Sequence, residues 1–123
     1  MRSFEFELWG DMWTLNSERS MHYHTRAKRV KEWREMAHTA AIARKIPALD
    51  AIEVYFTPHR INRKSMADTG GHFPVIKAII DGLVDAGVLS GDGPDIVRRL
   101  IFEAPKVSGE SKAQVKIVEL EKK

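Results

Sequence analysis

The stretch Ala67-Asp68-Thr69-Gly70-Gly71-His72-Phe73-Pro74-Val75-Ile76-Lys77-Ala78-Ile79-Ile80-Asp81-Gly82-Leu83-Val84-Asp85-Ala86-Gly87-Val88 decides how this chain folds. A proline in its first turn and a glycine just past its last turn bracket an amphipathic helix, starting near Pro74 and ending at Gly87. Ile76, Ile79, Ile80 and Leu83 point inward at helical spacing. Upstream, about residues 48–58 put Ile52, Val54 and Phe56 on one face, the period of a strand. Downstream, Ser90-Gly91-Asp92-Gly93-Pro94 is a turn by composition, and a further strand covers about residues 96–104. A helix framed by two strands is the centre of a small α/β arrangement.

Working outward, Phe4-Glu5-Phe6-Glu7-Leu8 alternates as a strand with one buried face. Residues 9–23 are polar, aromatic and irregular, a long connection of the kind that often carries function. Thr25 is an acceptable N-cap for a helix over residues 25–44, with Val30, Trp33, Ala37 and Ala40 as its core stripe. His59 to Ala67 reads as a basic loop. A hairpin-like loop at residues 107–111 precedes a last strand at 113–120, and Glu121-Lys122-Lys123 reads as a terminal tail. The expectation is one small α/β (α+β) domain over residues 1–123, with a mixed sheet of about four strands and two main helices. The element order is β-α-β-α-β-β.

With 123 residues, the chain suffices for one domain with one modest core. It has no Cys, which excludes a disulfide framework, a thiolate zinc site and a Cys nucleophile. No run approaches the ~18 apolar residues of a membrane span, so the expectation is a soluble, cytoplasmic protein without a membrane partner. Net charge is only +3, but it is unevenly spread. Residues 19–64 hold eleven Lys and Arg against four acids, whereas residues 68–95 hold five Asp against one Lys. Such a change of sign suggests a polyanion cradle next to a cation site.

Several side chains carry two readings. Asp68 is either a turn former or a ligand for a hard divalent cation, and Asp92 in its Gly-rich turn has the same ambiguity. Lys77 is either a surface lysine paired with Asp81 at i,i+4 or a cation that neutralises a phosphate. Gly70 and Gly71 can let backbone N–H groups approach a phosphate; His72 is a ligand, a phosphate contact or a filler. His22 and His24 read as surface residues or nucleic-acid contacts, and Trp33 as core. Trp13, Asn16 and Arg19 are candidates for touching DNA.

At these residues the chain resembles the RusA-like Holliday junction resolvases, in the variants found in phages and actinobacteria. The match is strongest over residues 63–97. Asp81-Gly82-Leu83-Val84-Asp85-Ala86-Gly87 repeats the family phrase D-G-L-x-D-A-G, and Asp92 falls where a later catalytic Asp is expected. Asp68 matches the first Asp of D-x-D-N, Lys77 stands for the helix lysine, and Trp13-Thr14-Leu15-Asn16 looks like the N-terminal loop around its Asn. Where the second Asp and the Asn of D-x-D-N would stand, this chain has Gly70 and Gly71. Asp95, Asp81, His72 or a water would have to fill the missing place.

The resemblance implies a homodimeric, Mg²⁺-dependent endonuclease, with Mn²⁺ as a substitute. It would nick four-way DNA junctions symmetrically in phage or bacterial recombination and repair. Asp68 and Asp92 would be metal ligands and Lys77 the catalytic cation. Arg26, Lys28, Arg29, Arg60, Arg63 and Lys64 would supply phosphate affinity, joined by Asn16, Arg19, Gly70, Gly71 and His72. The alternative is a non-catalytic or weakly catalytic protein that binds branched DNA on the same fold.

Overall fold

The computed structural model describes residues 1–65 and 67–121; Lys122 and Lys123 of the expected tail lie outside the described residues. The chain runs β1 (Ser3–Trp9), α1 (Leu15–Glu18), α2 (Tyr23–Ala43), β2 (Ala51–Arg60), a 3-10 turn (Arg63–Ser65), α3 (Phe73–Asp85), β3 (Val97–Phe102), β4 (Lys106–Val107) and β5 (Lys112–Leu120). Among the described residues these make a small α+β domain with one mixed five-stranded sheet and three α-helices, of which α1 is a single turn. The expected class and the order of the main elements are present, with α1 and β4 added.

Strand order is β1-β5-β2-β3, with β4 continuing beside β2 beyond β3. β5 is antiparallel to both β1 and β2, while β2 and β3 run parallel through the crossover helix α3. The expected hairpin at 107–111 is therefore corrected: β3 and β5 are not neighbours, because β2 lies between them. The segment after β4 crosses the end of β2 instead. His59 holds that crossing, with Nδ1 3.0 Å from Ser108 Oγ and Nε2 2.9 Å from Gln114 Oε1.

Strand β2 also runs two residues past Pro58, where a proline is expected to end it. Proline has no N–H to give a ladder. It is tolerated here because β3 pairs with β2 only as far as Phe56 and β4 begins at His59, leaving a gap beside Pro58. Register puts Phe6, Leu8, Ile52, Val54, Phe56, Ala113, Val115 and Ile117 on one buried face. α2 and α3 pack together over it, contributing Trp33, Ala37, Ile76, Ile79 and Leu83.

Helix α2 starts two residues before Thr25. Its N-cap is His22, whose Nδ1 accepts the His24 N–H at 3.2 Å; His is a rare cap, which is why composition misplaces the start. Residues 9–23 are less irregular than expected. Thr14 and Ser17 form a reciprocal cap on α1, and Met12 and Trp13 are buried. Trp33 Nε1–H donates to Asp11 O at 2.9 Å and ties this connection to α2.

The two long helices approach most closely at Gly82. A Cβ there would lie 2.4 Å from Arg34 O and 2.7 Å from the Ala37 Cβ. Arg34 fastens the same contact, donating to Asp85 at 2.8 and 3.0 Å. Gly87, with φ +79°, closes the helix after the C-cap Ala86. Gly82, Asp85 and Gly87 of this stretch thus each have a structural reason. Because the obstructing atom at Gly82 is backbone, Gly82→Ala should destabilise the protein by about 2–3 kcal/mol in urea unfolding. Gly93→Ala, where an added Cβ meets nothing within 4 Å, should leave the midpoint nearly unchanged.

Candidate functional site

Between β2 and α3 the backbone folds on itself. Gly71 N–H donates to Asp68 O (2.8 Å) and Phe73 N–H to Gly70 O (3.2 Å). Gly70 has φ +86°, a left-handed conformation that costs a residue with a Cβ about 1–2 kcal/mol. The Cβ of an Asp placed at position 70 would meet nothing within 4 Å, yet the residue would carry that strain. Gly71 is crowded in a different way, since a Cβ would come within 3.0 Å of Asp68 O.

Leu15 N–H donates to Gly71 O at 3.0 Å and stitches the N-terminal connection to this loop. The stitch gathers Thr14, Asn16, Asp68, Thr69, Gly70 and Gly71 around a hollow of about 520 Å³. Asp68 and Asn16 are exposed on its wall. Two residues 52 positions apart in sequence, both singled out beforehand, are thus brought to one place.

Lys77 forms the second centre. Its Nζ donates to Asp81 Oδ1 at 2.7 Å and to Asp92 Oδ2 at 2.6 Å. Partial burial works against the ammonium, but these two bonds and the two negative charges outweigh it and raise its pKa. The Lys77 hydrogen bond, with its charge, holds the Asp92 carboxyl below the usual carboxylate range. The pairing of Lys77 with Asp81 at i,i+4 is the bland reading of that lysine; Asp92 joins it from the loop after α3. Lys77 and Asp81 also line a hollow with Leu15, Glu18, Arg26 and Phe73. Leu15 lines this hollow and the Asp68 hollow, so the two adjoin.

The expected DNA contacts divide by exposure. Asn16, Arg19, Arg26, Lys28, Arg63 and Lys64 are exposed, and Arg29 is half-buried. His72 is corrected from a phosphate contact to a structural residue, with 2 % of its surface exposed. Its Nδ1 lies 3.0 Å from Trp13 O; a carbonyl only accepts, so Nδ1 carries the proton. Burial pushes its pKa down, and the nearby Arg60 charge adds to this. Trp13 is likewise 3 % exposed and gives its Nε1–H to Glu18 Oε2 at 2.8 Å, so it faces the core and not a ligand. Arg60 shares the helix-facing side of β2 with Phe56 and Pro58. Its Nε and Nη1 are buried without a hydrogen-bond partner, and burial lowers its pKa, so this guanidinium is turned largely inward.

Among the described residues no three His, Asp or Glu side chains gather in a group that could hold a metal ion. Magnesium does not require one, since it keeps several waters and is often held by one or two carboxylates plus substrate phosphates. Asp68 and Asn16 line one hollow and carry oxygen donors of the kind magnesium takes, whereas Asp92, the other expected ligand, is held by Lys77 and lines neither of the two hollows. Sequence reasoning missed Glu18, and it missed that Asp92 reaches Lys77. The i,i+4 spacing signals Asp81, but nothing in the sequence signals a contact across the Gly-rich turn. The chain matches no protein-family model, and a search of curated proteins finds no match.

Asp92 has a depressed folded pKa. Its contribution to stability is therefore complete above the unfolded carboxylate value and fades as pH falls through the lower folded value. An NMR titration of the Asp92 carboxyl carbon should give a midpoint below about 3.9, the ordinary Asp value. Lys77→Met should move that midpoint upward.

Proposed function

We propose that the protein binds branched DNA and nicks it, acting as a magnesium-dependent endonuclease on four-way junctions. The observation that carries this reading is the Lys77 ammonium held between Asp81 and Asp92 beside the hollow of Asp68 and Asn16. Carboxylates and a fixed cation side by side suit phosphodiester hydrolysis, in which negative charge grows on the phosphorus oxygens and on the leaving oxygen. The resemblance of residues 63–97 to the RusA-like resolvases supports the same chemistry.

Each residue then has a task. Exposed Arg19, Arg26, Lys28, Arg63 and Lys64 would take phosphates and release counterions, so affinity falls steeply with salt. Asn16 would orient the strand at the mouth of the Asp68 hollow. Lys77 would face the scissile phosphate and exchange one of its carboxylate partners for a phosphate oxygen. Asp68 and Asp92 would hold magnesium, which when bound supplies Lewis acidity. A twofold dimer would match two opposed nicks, and the setting would be the cytoplasm of a bacterium or of a phage-infected cell during recombination and repair.

A second reading is a branched-DNA-binding protein without cleavage. It is favoured by the left-handed Gly70 at the place of the family's second Asp, and by Asp92 being already neutralised by Lys77. One assay separates the two. Purified protein incubated with a labelled four-way junction and Mg²⁺ or Mn²⁺ should give paired nicks. Asp68→Asn and Asp92→Asn should each reduce the rate at least about 100-fold while junction binding persists. Tight binding with no product under either ion would favour the second reading, and cleavage undiminished in both variants would remove these residues from the site.

A further inference from the structure

A broad, open hollow of about 750 Å³ lies away from this site, between β1 and α2. Its floor is apolar: Leu8 from β1, and Trp33, Met36 and Ala40 from α2. Its charged lining is mainly acidic, with Glu7 and Asp11 on the strand side and Glu32 and Glu35 on the helix side, against one cation, Arg44, at the far end of α2. Glu7 is already held by Lys112 at 2.6 Å, and Glu35 has an exposed Lys31 at 4.0 Å. Asp11 and Glu32 have no salt bridge among the described residues, although the Asp11 charge acts on the nearby Arg60 guanidinium.

The strand beside this hollow is the edge of the sheet, and its outer side pairs with no strand among the described residues. Edge strands are ordinarily protected by Lys, Pro or a bulge. Ser3-Phe4-Glu5-Phe6-Glu7-Leu8-Trp9 has none of these and only Glu5 and Glu7 as charged residues, and its register with β5 is continuous over all seven residues. Trp9 stands 52 % exposed at the end of the strand, lining the same hollow.

We propose that this groove docks an extended, basic segment of a partner protein, which pairs its backbone with β1. Strand addition supplies main-chain hydrogen bonds along the edge, while alternate side chains give specificity. On the α2 side, Lys or Arg side chains would lay their methylene stems on the Trp33–Met36 floor and carry their charges to Asp11 and Glu32, while the alternate side chains would point to the opposite face of the sheet. The charge of the rim selects this occupant. DNA is repelled by it, and a second copy pairing through the same edge would set each acidic rim against its own image. The site is independent of the proposed nuclease reading and stands or falls separately.

The test uses the whole protein and three synthetic peptides: alternating Lys and Val, alternating Glu and Val, and the Lys/Val peptide N-methylated at alternate residues along one edge. Binding is followed by calorimetry and by Trp fluorescence. The Lys/Val peptide should bind and the other two should not. An Asp11→Lys, Glu32→Lys variant, with its fold checked by circular dichroism, should weaken the Lys/Val peptide at least about tenfold. Equal binding of the N-methylated peptide would overturn strand addition, and undiminished binding by the variant would overturn the role of the rim. Absence of any binding at about 1 mM, the weakest range worth calling specific, would overturn the proposal as a whole.

Discussion

Everything that positions the candidate site depends on how closely α3 lies against α2. Gly82 sets that distance, because any side chain there would run into the Arg34 carbonyl. Arg34 then fixes the rotation of the pair through its two bonds to Asp85. With α3 seated, its first turns carry Lys77 to the surface and bring the Gly70-Gly71 loop against Leu15. A small residue in one helix therefore governs geometry two turns away, through rigid packing and not through any direct contact.

Charge is distributed to match. Carboxylates near α3 are partnered by single cations: Asp81 and Asp92 by Lys77, Asp85 by Arg34. These pairs are partly exposed and screened by solvent, so they add little to stability. Their value lies in orientation. The less exposed polar groups have a different character: the Arg60 charge acts on the His72 imidazole, and each side chain keeps buried nitrogen without a hydrogen-bond partner. The interior below the loop is thus polar, whereas the core around Ile52, Val54 and Phe56 is entirely apolar.

Much of the fold was legible because periodicity reports burial. The stripe of α3 and the alternation of β1 and β2 predict core residues that the structure buries, among them Phe6, Leu8, Val54, Phe56, Ile79 and Leu83. What was hidden is pairing between distant segments. Nothing local says that β5 inserts between β1 and β2, that Pro58 sits beside a gap, or that His22 can cap a helix. In the site, Asn16 and Asp68 were both readable as candidates and share a hollow. His72 and Trp13 were misread because an imidazole or indole in a polar loop looks exposed until the tertiary contact that buries it is known.

The sheet order also dictates when the molecule can assemble. β1 leaves the ribosome first of the five strands, yet its one strand neighbour among the described residues is β5, the last one made. Until that final segment emerges, β1 has nothing to zip onto, and its apolar face and bare flank wait unprotected. Synthesis therefore imposes a delay on this small domain during which the β2–α3–β3 unit, local in sequence, is the natural part to consolidate first.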